Sequence, residues 1–157
     1  LGTSPEQGSF ALTVFFSIGI FMTYIGGLLG DKYGPIKIIR LSLLVWLPAM
    51  FLLTEVPTFS PLIMMPVAYL LLLMIGAAKA ISYSPVIVLG QTYLAKSIGF
   101  ASGITLGVSQ TIGGVIAPVV GNLADTYSLP VAMMTLVPFL VMGLGASLIL
   151  KDPKKLQ

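Results

Sequence analysis

The chain has 157 residues, of which 57% are hydrophobic and 8% charged, with a net charge of +3 and neither cysteine nor histidine. A water-soluble domain carries about a quarter charged residues, so the composition excludes an ordinary globular body and points to lipid. Disulfides, thiol chemistry, imidazole bases and the commonest metal sites fall away with the two missing residue types. No catalytic residue, metal, cofactor or nucleic-acid partner is expected. The start at Leu1 carries no signal-peptide pattern of basic, apolar and small-residue regions, and the sequence is expected to be part of a longer protein.

Taken in order, Leu1 to Ser9, with Pro5, Glu6 and Gly8, reads as an external loop. The first predicted span, about 10–30, is interrupted by little beyond Ser17, Thr23 and Tyr24. It is long enough to cross a hydrocarbon core of about 30 Å. A charged, glycine-bracketed turn around Asp31 follows. The second span, about 36–53, holds Trp46 and a proline, Pro48, that predicts a kink. A connector without cations, Thr54 to Pro61, leads to a third apolar stretch, about 62–94. That stretch is too long for one upright crossing, so it either projects beyond the bilayer or bends at Pro66 and Pro85. After a break at Tyr93–Ile98, a fourth span, about 98–123, is rich in glycine, alanine and serine. The fifth, about 131–150, ends in a basic tail.

The cations order these spans. Lys32, Lys37 and Arg40 lie in the first connector, Lys96 in the third, and Lys151, Lys154 and Lys155 in the tail, while the other connectors hold none. Positive residues therefore alternate by side, and the positive-inside rule puts the charged side in the cytoplasm, with the start outside and the carboxyl end inside. The fold class expected is all-α, a polytopic membrane helical bundle of five spans.

Lys79 is the cation left over, near the middle of the third span. An ammonium at that depth costs several kcal/mol unless it meets water or an anion, and its depth favours a functional role over snorkelling to an interface. A helical wheel puts Tyr69, Gly76, Lys79, Tyr83 and Gly90 within one arc. No carboxylate falls inside any span, so the partner of Lys79 is a substrate anion, a residue elsewhere in the protein, or water. In the fourth span Gly99, Gly103 and Gly107 repeat every four residues and form a strip suited to close helix contact, beside Ser102, Thr105 and Ser109. Gln110 is the most polar side chain at mid-depth there; it either serves a translocation path or bonds to a neighbouring helix.

The turn itself can be read physically. Gly26, Gly27 and Gly30 strip bulk from the end of the first span, so another helix can approach. Gly34 admits a conformation that a side chain resists, and Pro35 suits the first turn of the next helix. Asp31 is expected to accept backbone amides at a helix start or to pair with Lys32, Lys37 or Arg40.

Gly27, Leu29, Asp31, Lys32 and Gly34 fill the pattern Gly-x-Leu-x-Asp-Lys/Arg-x-Gly between two membrane spans. This resembles the signature loop of the major facilitator superfamily, which in those transporters lies on the cytoplasmic side between two helices of one half-domain. Pro35 and Ile36 stand where paired basic residues are usual, with cations displaced to Lys37 and Arg40. By the position of the loop, the chain is similar to the eighth to twelfth helices of a twelve-helix member. The runs Val88–Leu94, Gly99–Gly103 and Gly121–Asp125 are similar to the bacterial fosmidomycin-resistance branch. The resemblance implies an inner-membrane secondary transporter whose halves alternately expose a central site, with the third span lining the cavity. It implies proton-coupled efflux of a small organic molecule or drug, and the absent amino-terminal half, protons and lipid as partners. Two rivals remain: uptake or exchange of a small organic anion with Lys79 as counter-ion, and a non-transporting membrane scaffold or receptor.

Overall fold

A computed structural model describes residues 5–56 and 61–150 of the chain. Its elements are α1 (Pro5–Tyr33), α2 (Pro35–Glu55), α3 (Pro61–Tyr93), a 3-10 turn (Ala95–Ser97), α4 (Ile98–Thr126), α5 (Leu129–Met134) and α6 (Val137–Ile149). No strand occurs among the described residues. Among the described residues, five stretches are long and apolar enough to cross a membrane: Gly8–Tyr33, Pro35–Glu55, Ile63–Tyr93, Ala95–Thr126 and Leu129–Ile149. The protein is an all-α polytopic bundle.

The helix ends differ from expectation in places where local chemistry explains the difference. Residues 5–9, expected in an external loop, form the start of α1. Pro5 needs no amide partner in a first turn, and the Glu6 carboxylate suits the positive end of the helix. The turn around Asp31 shrinks to one residue: Gly34, at φ 96°, separates α1 from α2, and Pro35 opens the new helix. Asp31 thus stands in the last turn of α1 rather than at a helix start. The third stretch is one helix of 33 residues that runs through both Pro66 and Pro85. The middle of the second connector, 57–60, lies outside the described residues, as do Leu1 to Ser4 and the tail bearing Lys151, Lys154 and Lys155.

The fifth span, expected to be continuous, is broken between α5 and α6. Pro138 has no amide hydrogen for the Met134 carbonyl, so one bond of the regular ladder is missing where the helix divides. The backbone tightens there, with Leu136 N donating to Met133 O at 3.1 Å, and Thr135 Oγ1 donates to Ala132 O at 2.6 Å.

Packing is organised around α3, with α1 on one side and α2 on another, and with α5 and α6 against α2. Ala49 and Met50 of α2, with Val56 just beyond it, pack with Ala68, Leu71 and Ile75 of α3 to form the core. Trp46, Met133, Leu136 and Leu140 close around it.

Helices α1 and α3 run parallel and touch through glycines. A Cβ on Gly26 would overlap the Ile81 carbonyl, one on Gly27 would lie 3.2 Å from Ser84 Oγ, and one on Gly30 would lie 3.1 Å from the Pro85 ring. The Ile81 carbonyl is the one that Pro85, lacking N–H, deprives of its helical donor. The α1 backbone lies against it, where a Cα–H group offers weak compensation.

Helix α4 meets α3 through its first turns. Gly90 leaves room for Thr105, and Gln91 Nε2 donates to Ser102 Oγ at 2.8 Å. Such bonds between membrane helices are worth about 0.6 kcal/mol on average. Ser102→Ala in the full-length protein should therefore lower the unfolding free energy by roughly that amount. Adding Gln91→Leu should cost less than the sum of the two single changes, which a double-mutant cycle measures.

Candidate substrate groove

On α1, Phe15, Gly19 and Thr23 recur at four-residue spacing, and on α3, Gly76, Lys79 or Ala80, and Tyr83 do the same, so each set shares one helix face. The parallel contact of α1 with α3 sets these faces side by side. Between them lies a groove of about 270 Å³, lined also by Phe16 and Ile20. Gly76 seats the Phe15 ring, since a Cβ there would come within 2.9 Å of it. The Lys79 ammonium stands 5.9 Å from the centre of that ring, within reach of a cation–π attraction. Phe15 and Phe16 meet edge to face at 5.6 Å. Tyr83 is 47% exposed and Phe16 65% exposed, so both present aromatic surface to whatever fills the groove. The Thr23 hydroxyl donates back to Gly19 O at 2.8 Å, which leaves it an acceptor in the groove.

The structure brings together two of the side chains singled out from sequence, Lys79 and Tyr83. Tyr69 lies further along α3, edge-on to Phe10 at 6.5 Å. Gln110 is exposed on α4, away from the groove. Gly90, on the same ideal arc as Lys79, faces α4 beyond Pro85. Phe15 and Phe16 form a groove wall. Their spacing with Gly19 and Thr23 was visible, but nothing local says which face of α1 meets α3.

The turn residues sit at one end of the bundle. Gly27 faces Ser84, Lys32 lies over the Tyr33 ring at 5.1 Å, and Lys37 is exposed. Arg40 reaches the end of α6: Nε donates to Ser147 O at 2.9 Å, and Nη2 donates to Ser147 O at 2.6 Å and Leu150 O at 3.2 Å. The carbonyls at a helix end lack intrahelical donors and carry partial negative charge, which a guanidinium satisfies. This contact puts the charged turn and the end of the last helix on the same side of the bundle.

Gly99, Gly103 and Gly107 face open space, and a Cβ on any of them would meet nothing within 4 Å among the described residues. Gly103 and Gly107 instead line a shallow apolar depression of about 440 Å³ with Phe100, Ile104 and Val108. It holds no charged side chain, so the Lys79 groove is the better candidate for recognising a solute.

Comparison with known proteins agrees with this architecture. The family model described as Major Facilitator Superfamily matches residues 1–157. An uncharacterized MFS-type transporter, YfnC of Bacillus subtilis (strain 168), is 31% identical over 151 residues, which is 96% of this chain and 35% of that protein. The chain thus spans about a third of the length of that relative. No solved structure matches the chain. A family match along the whole sequence, joined to a bundle of apolar spanning helices with a charged turn between the first two, makes this chain a member of the major facilitator superfamily.

Proposed function

We propose that the chain supplies the eighth to twelfth helices of a twelve-helix secondary transporter, and that the full protein exports a small organic molecule in exchange for protons by alternating access. The observation that carries this reading is the groove between α1 and α3, where a lysine at mid-span faces open space beside aromatic side chains. A membrane protein has reason to keep an ammonium at that depth when the position lines a solute path. Glu6, Asp31, Glu55 and Asp125 all stand near helix ends, so the proton-carrying acids belong to the rest of the protein. The charged end of the bundle, with Lys32, Lys37, Arg40 and Lys96, faces the cytoplasm in this reading. The short runs around Leu89, Gly103 and Asn122 favour the fosmidomycin-resistance branch.

Alternating access makes a specific demand on Tyr83. In the full-length protein, Tyr83→Cys should react with a membrane-impermeant maleimide from either face, with the balance shifting when a proton gradient is imposed. A scaffold or receptor with dry packing around α3 would leave the cysteine unreactive from both faces, and that result would reject transport through this groove.

A further inference from the structure

We infer that the α1–α3 groove binds the carboxylate of a small organic monoanion that carries an aromatic ring, with Lys79 as its counter-ion. The inference rests on the groove being part of the translocation path. It goes further by assigning the charge and shape of what is carried.

The charge follows from what surrounds Lys79. Among the described residues no carboxylate reaches it, because the acids lie near the helix ends while Lys79 stands near the middle of α3. The Phe15 ring, 5.9 Å away, is its one electrostatic partner on the groove wall. A cation–π contact is worth about 0.5–2 kcal/mol, less than the cost of holding an ammonium in the membrane, so most of the charge is still to be met. An anion entering the groove meets it. Among the described residues the groove holds one cation and no second lysine or arginine. A monoanion is therefore matched, whereas a phosphate dianion would keep an uncompensated charge at membrane depth.

The shape follows from the walls. Phe16 and Tyr83 are exposed aromatics flanking Lys79, and flat rings stack on or against such faces with a gain beyond area burial. The Tyr83 hydroxyl is the natural second donor for a carboxylate oxygen. Thr23 spends its hydroxyl hydrogen on Gly19 O and adds no donor, so the donor set of an ammonium and a phenol suits two oxygens and little more. A charged head beside Lys79 and an apolar ring between the aromatics fit both features at once.

The test uses the purified full-length transporter, with benzoate and phenylacetate as probes against their uncharged amides, and binding measured by calorimetry. The acids should bind at least tenfold more tightly than the amides. Lys79→Gln should remove that difference by weakening acid binding at least tenfold, Lys79→Arg should keep most of it, and Phe15→Leu should weaken binding severalfold. Lys79→Arg and Phe15→Leu retain a cation and an apolar side chain, so they keep the test valid where Lys79→Gln fails to fold. Equal binding of acids and amides, no binding of either acid, or acid binding unchanged in Lys79→Gln overturns the inference. The last result would mean that an acid from elsewhere in the protein already neutralises the lysine. Transport itself fails separately: Lys79-dependent acid binding with an unreactive Tyr83→Cys would keep the site and discard the solute path.

Discussion

Gly26→Val in the full-length protein is expected to lower its stability by about 3 kcal/mol or more, seen as a lower thermal midpoint in detergent and poorer recovery from membranes. The size of the effect comes from what the new side chain would strike. Most overpacked sites relax when a neighbouring side chain changes rotamer, at a cost of about 1–3 kcal/mol. Here the obstacle is the Ile81 carbonyl, a backbone group in the middle of α3, and it can move only if α1 and α3 separate. Separation also withdraws the α1 backbone from a carbonyl whose helical donor Pro85 has removed. Gly19→Ala is the matched control on the same helix. Its Cβ would meet only Ala80 Cβ at 4.0 Å, an ordinary contact, so stability should stay level or rise slightly. Equal losses at the two positions would contradict the close approach of α1 to α3.

Arg40→Gln is the second substitution expected to have a large effect. Hydrogen bonds from a charged donor contribute about 1.5–3 kcal/mol, and Arg40 makes several to the carbonyls of Ser147, Leu148 and Leu150. Removing the guanidinium leaves those carbonyls at the end of a helix without their donor and without the positive charge that offsets the helix dipole. A loss of about 2 kcal/mol is expected, with faster hydrogen exchange at the end of α6 and little change in the α1–α3 contact. Arg40→Lys should recover only part of the loss, because one ammonium does not span carbonyls that a planar fork reaches together. Undiminished protection at the end of α6 in Arg40→Gln would show that the cap is dispensable.

The spans were legible because the bilayer imposes a length and an apolar composition that few other structures share. The glycine-bracketed turn was legible because Gly34 and Pro35 do there what their backbones permit, although the turn occupies one residue where a longer loop was expected. Residues 5–9 misled because polarity and turn formers suggested a loop, while Pro5 and Glu6 are equally suited to a helix start. Pro138 was visible in the sequence, yet Pro48, Pro66, Pro85 and Pro118 all sit inside unbroken helices. A proline by itself does not say which helix will divide. Lys79 announced itself as a cation at depth, and Tyr83, one turn on, could be placed with it. Phe15, Phe16 and Thr23 could not, because their facing is decided by the meeting of Gly26 with Ile81, a contact between distant parts of the chain. Arg40 was one of three cations expected near Asp31, and nothing local announced the carbonyl acceptors it reaches 107 to 110 residues further along.

That distance has a bearing on biogenesis. A ribosome releases the second span into the bilayer well before it has made the carbonyls that hold the arginine in place. Until α6 emerges, the guanidinium depends on water and lipid phosphate at the surface, and α2 is held by its packing on α3. Completion of the last helix therefore acts as a latch on the assembly, and a polypeptide stopped short of Ser147 would enter the membrane without ever closing it.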